Sequence, residues 1–131
     1  MPSRSWVLSS GVELARESLP LEAIASGPAD SLGMGPEFRP HLALGFIVQD
    51  LKRFPGRGWE FVAAALRSPA IPNRNMALGA LDAWPRNRWP SNASDTLERA
   101  EAEEPREDVK ARIGRVRRGE PLDPGDEQTT E

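Results

Sequence analysis

The residues of this 131-residue chain with the clearest potential for binding chemistry lie in the segment 84–90, Trp-Pro-Arg-Asn-Arg-Trp-Pro. Planar guanidinium groups next to aromatic faces favour stacking on nucleic-acid bases or anchoring of a protein partner. Arg86, Arg88 and Trp89 are therefore candidate binding residues. Packing is the favoured explanation of the same pattern, with Trp84 closing a hydrophobic core, Trp89 fastening the loop and the arginine stems covering both rings.

A second basic segment with an aromatic residue occupies positions 52–59, Lys-Arg-Phe-Pro-Gly-Arg-Gly-Trp. Its Pro-Gly pair predicts a turn between two helices. Turns on one side of a stack of helical hairpins line up, so we expect this turn to share an edge with the segment 84–90. Arg53, Arg57 and Trp59 therefore join the candidate binding residues.

The charge distribution favours an acidic partner. Residues 36–90 contain eight basic and four acidic residues, a net charge of +4, whereas residues 1–35 and 91–131 carry net charges of −2 and −5. Arg74 falls in the basic part of the chain and is the seventh candidate binding residue. The expected partner is an acidic protein segment or a larger protein complex, and a nucleic-acid phosphate backbone is the alternative.

Few residues of this chain are suited to catalysis or metal binding. There is no Cys and a single His, His41, which excludes thiolate metal sites, iron–sulfur clusters and cysteine nucleophiles. A Ser-His-Asp triad would have to use His41, for which the sequence offers no identifiable partner. The acidic run 101–108 lacks the alternating oxygen ligands of a calcium-binding loop. The sequence therefore favours a protein with no catalytic residues, no metal and no cofactor.

The apolar stretches are too short for a membrane span. The longest one, 42–48, is far below the roughly 20 residues that cross a bilayer. The region 1–14 is interrupted by Ser9, Ser10 and Gly11, which makes it too weak for a signal peptide. We expect no membrane contact and a cytoplasmic location.

Apolar periodicity and helix-terminating residues predict an all-α fold of short helices. The last helix is the best specified, because Pro105 stands in its first turn and Gly119 follows its last turn. Asp95 and Glu98 form a capping-box pattern at the start of the fourth helix. The five predicted helices span about 40–54, 58–67, 72–84, 95–104 and 105–118.

The segments at the two ends differ from the helical region. Residues 26–36 contain three Gly and two Pro, a loop composition that predicts a boundary. Residues 1–35 are predicted to form a partly helical cap or a flexible segment, and residues 36–118 the helical domain. Residues 119–131 contain one large apolar residue, Leu122, and five acidic residues, so they are predicted to be a disordered acidic tail.

A three-residue repeat falls within the predicted helices. Ala-Leu-Gly occurs at 43–45 and again at 77–79, an offset of 34 residues, and a further 34 residues lead to Ala-Arg-Ile at 111–113. Each match lies in the second helix of a short helix-turn-helix unit. A period of this size is typical of helical solenoids, in which neighbouring hairpins share one core.

One predicted helix resembles the inner helix of HEAT-type (armadillo-type) repeats. The R-x-x-A-x-x-A-L pattern of that helix is matched by Arg74, Ala77, Ala80 and Leu81. Asp-Val-Lys at 108–110 resembles the Asp-Val-Arg entry to the same helix, at an offset of 36 residues rather than 34. The resemblance covers roughly residues 38–118. Two features depart from it, namely Asn73, where the family usually has an aliphatic residue, and the connection 85–90.

The resemblance implies short helical hairpins stacked as a small HEAT-like right-handed solenoid that acts as a non-catalytic protein-interaction or scaffold module. Its alternative is a nucleic-acid-binding domain, because HEAT-like alkylpurine DNA glycosylases place Trp and Arg around a damaged base together with an Asp. Asp82 or Asp50 would have to supply that carboxylate, and no motif selects either. Three arrangements fit the sequence: residues 1–35 cap the array, the chain is one end of a longer array, or the helices form a compact bundle without true repetition.

Overall fold

The computed structural model describes residues 19–122. This part of the chain contains two short 3-10 helices, Pro36–Phe38 and Arg86–Arg88, and six α-helices. No described residue belongs to a β-strand, and Ser31 and Ala70 form one isolated bridge. The predicted all-α class is therefore confirmed. The α-helices are α1 (Leu21–Ile24), α2 (Arg39–Leu51), α3 (Trp59–Leu66), α4 (Ile71–Ala83), α5 (Ala93–Glu103) and α6 (Glu107–Arg118).

The five helices predicted from periodicity are α2 to α6, and proline and glycine set several of their ends. α2 and α4 have Pro in their first turn, where the missing N–H costs no intrahelical hydrogen bond. α6 ends at Gly119, whose φ of 72° is the left-handed conformation that terminates many helices. The predicted capping box was wrong, because α5 begins at Ala93 and Asp95 already lies inside its first turn.

The helices pack around one hydrophobic core. α4 packs against both α2 and α6, while α3 packs against α1, α2 and α4, and α5 packs against α6. Every helix contributes buried apolar side chains to a single cluster. Its large members with less than 2% exposure are Phe61, Ile24, Leu44, Leu51, Leu66, Leu78, Leu81, Leu97, Ile113, Val48 and Val62.

The described parts of both terminal segments belong to this core. Ile24 of α1 is 1% exposed and packs in the same cluster as the residues of α2 to α6. Leu122, predicted to lie in a disordered tail, is 7% exposed and packs in that cluster as well. Residues 119–122 are therefore not part of a disordered tail, because burial of the leucine offsets the entropy of ordering them. The predictions for residues 1–18 and 123–131 lie outside the described residues.

Hydrogen bonds and ion pairs join the connections at one end of the helices. The Gly27 N–H donates to the Arg67 carbonyl oxygen at 2.8 Å, and the Ile71 N–H donates to the Ser31 carbonyl oxygen at 2.7 Å. The Arg67 side chain also forms an ion pair with Glu103 at 3.0 Å. Three connections are thereby held next to one another. We call them the turn end, made up of residues 26–31, 67–70 and 103–106.

Candidate functional site

The two predicted basic segments lie side by side at the opposite end of the helices. The Trp84 Nε1–H donates a hydrogen bond to the Leu51 carbonyl oxygen at 2.8 Å. Gly56 has a φ of 79°, and a β-carbon built on it would lie 2.7 Å from the Arg88 carbonyl oxygen. The two backbones therefore touch at a position where only glycine fits. We call this surface the loop end, made up of residues 52–58 and 84–92.

The loop end is strongly basic. Its two loops contain five basic residues and no acidic one. Arg57 and Arg88 are exposed to solvent. Arg53 is exposed too and forms a surface ion pair with Asp50, one of the two carboxylates considered for a glycosylase-like reaction. A concentration of cationic side chains of this kind favours contact with anionic groups.

Arg86 and Trp89 form a fixed unit within the loop end. The guanidinium carbon of Arg86 lies 4.2 Å from the centroid of the Trp89 ring, a cation–π distance. The Arg86 side chain also donates to the Arg117 carbonyl oxygen at 2.6 Å. The Trp89 Nε1–H lies 3.1 Å from the Leu81 carbonyl oxygen and 3.2 Å from that of Trp84, and donates to both. Trp89 therefore positions the loop and the exposed Arg86, and its N–H is already used inside the protein.

The other tryptophans near this end also pack inward. Trp84 is 3% exposed and closes the core, as the packing interpretation of the segment 84–90 predicts. Trp59, at the start of α3, is half-buried against the same core. The chemical groups that the loop end offers to a partner are therefore mainly guanidinium groups, rather than the free aromatic faces that base stacking needs.

Arg74 does not lie on this surface. It is 1% exposed, and its guanidinium makes two hydrogen bonds of 2.7 Å to the Glu104 carboxylate, which is equally buried. Two further hydrogen bonds, of 3.0 and 3.1 Å, go to the carbonyl oxygens of Ser68 and Pro69. The Glu104 carboxylate also accepts the Arg106 N–H at 3.2 Å. The expected exposure of Arg74 is corrected, because its position on α4 directs it towards the turn end, where a buried carboxylate balances its charge.

A Ser-His pair lies beside Arg74. The Nδ1 atom of His41 is 2.8 Å from the Ser68 hydroxyl oxygen, and burial lowers the pKa of His41. The Ser68 oxygen also accepts the Ala70 N–H at 3.1 Å and the Asn73 side-chain amide at 3.4 Å. Ser68 is 0% exposed, and its hydrogen bonds join the connection between α3 and α4 to His41 of α2 and Asn73 of α4.

The connections of the turn end contain charged residues of both signs. Arg106 forms ion pairs with Asp108 at 2.9 Å and with Asp30 at 3.0 Å. The hydrogen bond to Asp108, and then that to Asp30, raise the pKa of Arg106, and the same arginine lowers the pKa of Asp108. Sequence reasoning missed these contacts because Asp30 and Arg106 are 76 residues apart.

A cleft of about 380 Å³ lies between α2, α4 and α6, next to the loop end. Its lining contains two basic side chains, and no acidic residue of the described chain contributes to it. The Lys52 side chain lies over Gly79, where a β-carbon would be 3.3 Å from its Cε and 3.6 Å from its Nζ. The lining residues are Gln49, Lys52, Pro72, Asn75, Met76, Gly79, Arg112 and Leu122.

Residues 19–122 contain neither a candidate metal site nor a candidate membrane span. No group of three or more acidic or histidine side chains between residues 19 and 122 is arranged to hold a metal ion. None of the six helices described above combines the length and the apolar composition required to cross a bilayer.

Comparison with known proteins identifies no relative of this chain. No protein-family model matches it, and neither a curated protein nor a solved structure is significantly similar to it.

Proposed function

We propose that this chain is a non-catalytic protein-interaction or scaffold module that binds an acidic segment of a partner protein in the cytoplasm. The observation that carries the proposal is the loop end, where two connections from separate parts of the sequence present Arg53, Arg57, Arg86 and Arg88 on one surface. Its five basic and no acidic residues are complementary to a run of carboxylates.

The proposed architecture is a small right-handed solenoid of HEAT-like hairpins, formed by α1 with α2, α3 with α4, and α5 with α6. Its support is the pattern of contacts, because α2, α4 and α6 pack in succession and α3 packs against α1. Further support comes from the two ends, where connections of successive hairpins contact each other. Stacked hairpins that share a core produce both features.

An acidic protein segment is favoured over nucleic acid as the partner. Trp59 and Trp89 are half-buried, and the Trp89 ring is covered by Arg86. Binding of single-stranded nucleic acid usually depends on exposed aromatic faces on which bases stack. Guanidinium groups without such faces suit carboxylates, which they bind through paired hydrogen bonds.

A titration with two fluorescent probes, a glutamate-rich peptide and a single-stranded oligonucleotide, tests the proposal. We expect the peptide to bind with higher affinity than the oligonucleotide at physiological ionic strength. Arg57→Glu with Arg88→Glu should weaken peptide binding at least about tenfold, because each reversal replaces an attraction by a repulsion. Arg39→Glu with Arg99→Glu removes the same charge from exposed positions elsewhere and should change the affinity far less.

Two results would contradict the proposal. Equal losses in both double variants would mean that only net charge matters and that the loop end is not the site. Tighter binding of the oligonucleotide, with a steep loss of affinity as salt rises, would support the nucleic-acid-binding alternative.

A further inference from the structure

The cleft between α2, α4 and α6 is chemically suited to an anionic peptide. The charged residues of its lining are Lys52 and Arg112, and no acidic residue of the described chain contributes to that lining. The whole protein has a net charge of −3, so this purely basic lining is a local exception. The volume of about 380 Å³ lies within the range of sites that hold a small ligand or a few residues of a peptide.

The amide groups of the cleft suit a peptide backbone in particular. Gln49 and Asn75 line the cleft together with the apolar side chains of Met76 and Leu122. The Asn75 Oδ1 atom is buried and accepts no hydrogen bond from the described residues. An unpaired buried acceptor is costly, and a peptide N–H that approached after a small rotation of the amide would satisfy it.

The chain itself supplies a segment with the matching chemistry at this place. Leu122 is buried in the wall of the cleft, and the residues that follow it are Asp-Pro-Gly-Asp-Glu-Gln-Thr-Thr-Glu. Residues 123–131 contain four acidic residues and no basic one. Nine residues span up to about 30 Å when extended, which is enough to cross the cleft and reach the loop end.

We propose that residues 123–131 bind in this cleft, with their carboxylates facing Lys52 and Arg112 and with Leu122 as the anchor. The local concentration of a segment attached at the rim of its own site is high, so weak ionic contacts are sufficient for binding. This contact is intramolecular and requires no partner. It therefore holds or fails independently of the proposed function.

Paramagnetic relaxation in the full chain tests the proposal. The chain contains no cysteine, so Thr129→Cys introduces a single site for a nitroxide label. We expect the amide signals of Asn75 and Gly79 to lose more than half of their intensity relative to the reduced, diamagnetic sample. The loss should disappear at about 1 M salt, where charges are screened within a few ångströms.

Charge variants of the labelled chain identify the contact. Lys52→Glu should restore the signals, whereas Arg53→Glu, at an exposed neighbouring position that does not line the cleft, should leave them attenuated. Asp126→Asn with Glu127→Gln tests the same contact from the other side without changing the described fold, and should also restore the signals.

Three outcomes would overturn the proposal. The first is unattenuated signals at Asn75 and Gly79, which would place the segment elsewhere. The second is attenuation that persists in the Lys52→Glu variant and also in the double variant that combines Asp126→Asn and Glu127→Gln, which would exclude charge as the cause of the contact. The third is attenuation of equal size when labelled and isotopically enriched chains are mixed, which would assign the cleft to a second copy.

Discussion

Removal of the Arg74 side chain should destabilise the protein more than any surface substitution of the same type. In Arg74→Met, the Glu104 carboxylate would stay buried at 1% exposure while losing two hydrogen bonds of 2.7 Å. The hydrogen bond from the Arg106 N–H, at 3.2 Å, would remain. The carbonyl oxygens of Ser68 and Pro69 would each lose a donor as well.

The expected loss in the free energy of unfolding follows from this geometry. Removal of one partner from a buried ion pair costs about 3–5 kcal/mol, because the remaining charge is uncompensated. A domain of this size has a total stability of roughly 5–15 kcal/mol, so the loss is a large fraction of the whole. Arg74→Lys should be intermediate, since an ammonium keeps the charge but cannot form the paired hydrogen bonds.

The neighbouring ion pair between Arg67 and Glu103 is a matched control. It joins the same two connections at 3.0 Å, but its side chains are 40% and 43% exposed. Arg67→Met should therefore cost less than about 1 kcal/mol. The difference between the losses in Arg74→Met and Arg67→Met therefore reports the effect of burying the ion pair, because both variants lose an arginine side chain.

Urea denaturation followed by circular dichroism measures these free energies, with Glu104→Met and the double variant completing a mutant cycle. We expect the double variant to be more stable than the sum of the single losses predicts, by at least about 2 kcal/mol. The reasoning would be refuted if Arg74→Met cost no more than Arg67→Met, or if the two single losses added without coupling.

Three other predictions concern single residues. Burial lowers the pKa of His41 from its ordinary value of 6.5, so the stabilising effect of the neutral imidazole should be complete above pH 6.5 and decline as the pH falls below it. NMR titration of this single histidine, together with denaturation at several pH values, measures the effect. A free energy of unfolding that does not change with pH would contradict the prediction. Gly119→Ala, at a φ of 72°, should cost about 1–2 kcal/mol, because its β-carbon would make only an ordinary contact of 3.8 Å with the Arg86 guanidinium. Gly56→Ala, at a φ of 79°, should cost clearly more, because its β-carbon meets a backbone oxygen at 2.7 Å. Equal losses in thermal denaturation would argue against contact between the two loops. Trp84→Phe should cost about 1–2 kcal/mol, because the indole hydrogen bond of 2.8 Å to the Leu51 carbonyl oxygen is lost. The loss is limited because this oxygen still accepts the Phe54 N–H. An unchanged free energy of unfolding would show that the indole hydrogen bond contributes nothing.

The helical part of the fold was predictable because its signals are local. Proline in the first turn of α2 and α4, glycine after α6 and apolar spacing within each helix act over a few residues. The start of α5 was misplaced, since the capping-box pattern at Asp95 and Glu98 suggested a later first residue than Ala93. Cap chemistry alone does not distinguish a residue before the helix from one in its first turn.

The misplaced side chains depend on contacts between distant parts of the chain. Arg74 was expected on the basic binding surface. Its partner Glu104 is 30 residues away, in an acidic run that the sequence alone suggests is solvated. His41 and Ser68 are separated by 27 residues with no motif to connect them. Leu122 was assigned to the tail from the composition around it, although one large apolar side chain was enough to dock residues 119–122.

Among residues 19–122, charge is distributed unequally between the two ends of the helices. Carboxylates pair with arginines at the turn end, as between Arg106 and Asp30, whereas the loops of the loop end contain five basic residues and no acidic one. This distribution would favour orientations in which the loop end faces an approaching polyanion. Encounters would then occur in the productive orientation more often than by chance, which raises the association rate at low ionic strength without any change in the contacts of the final complex.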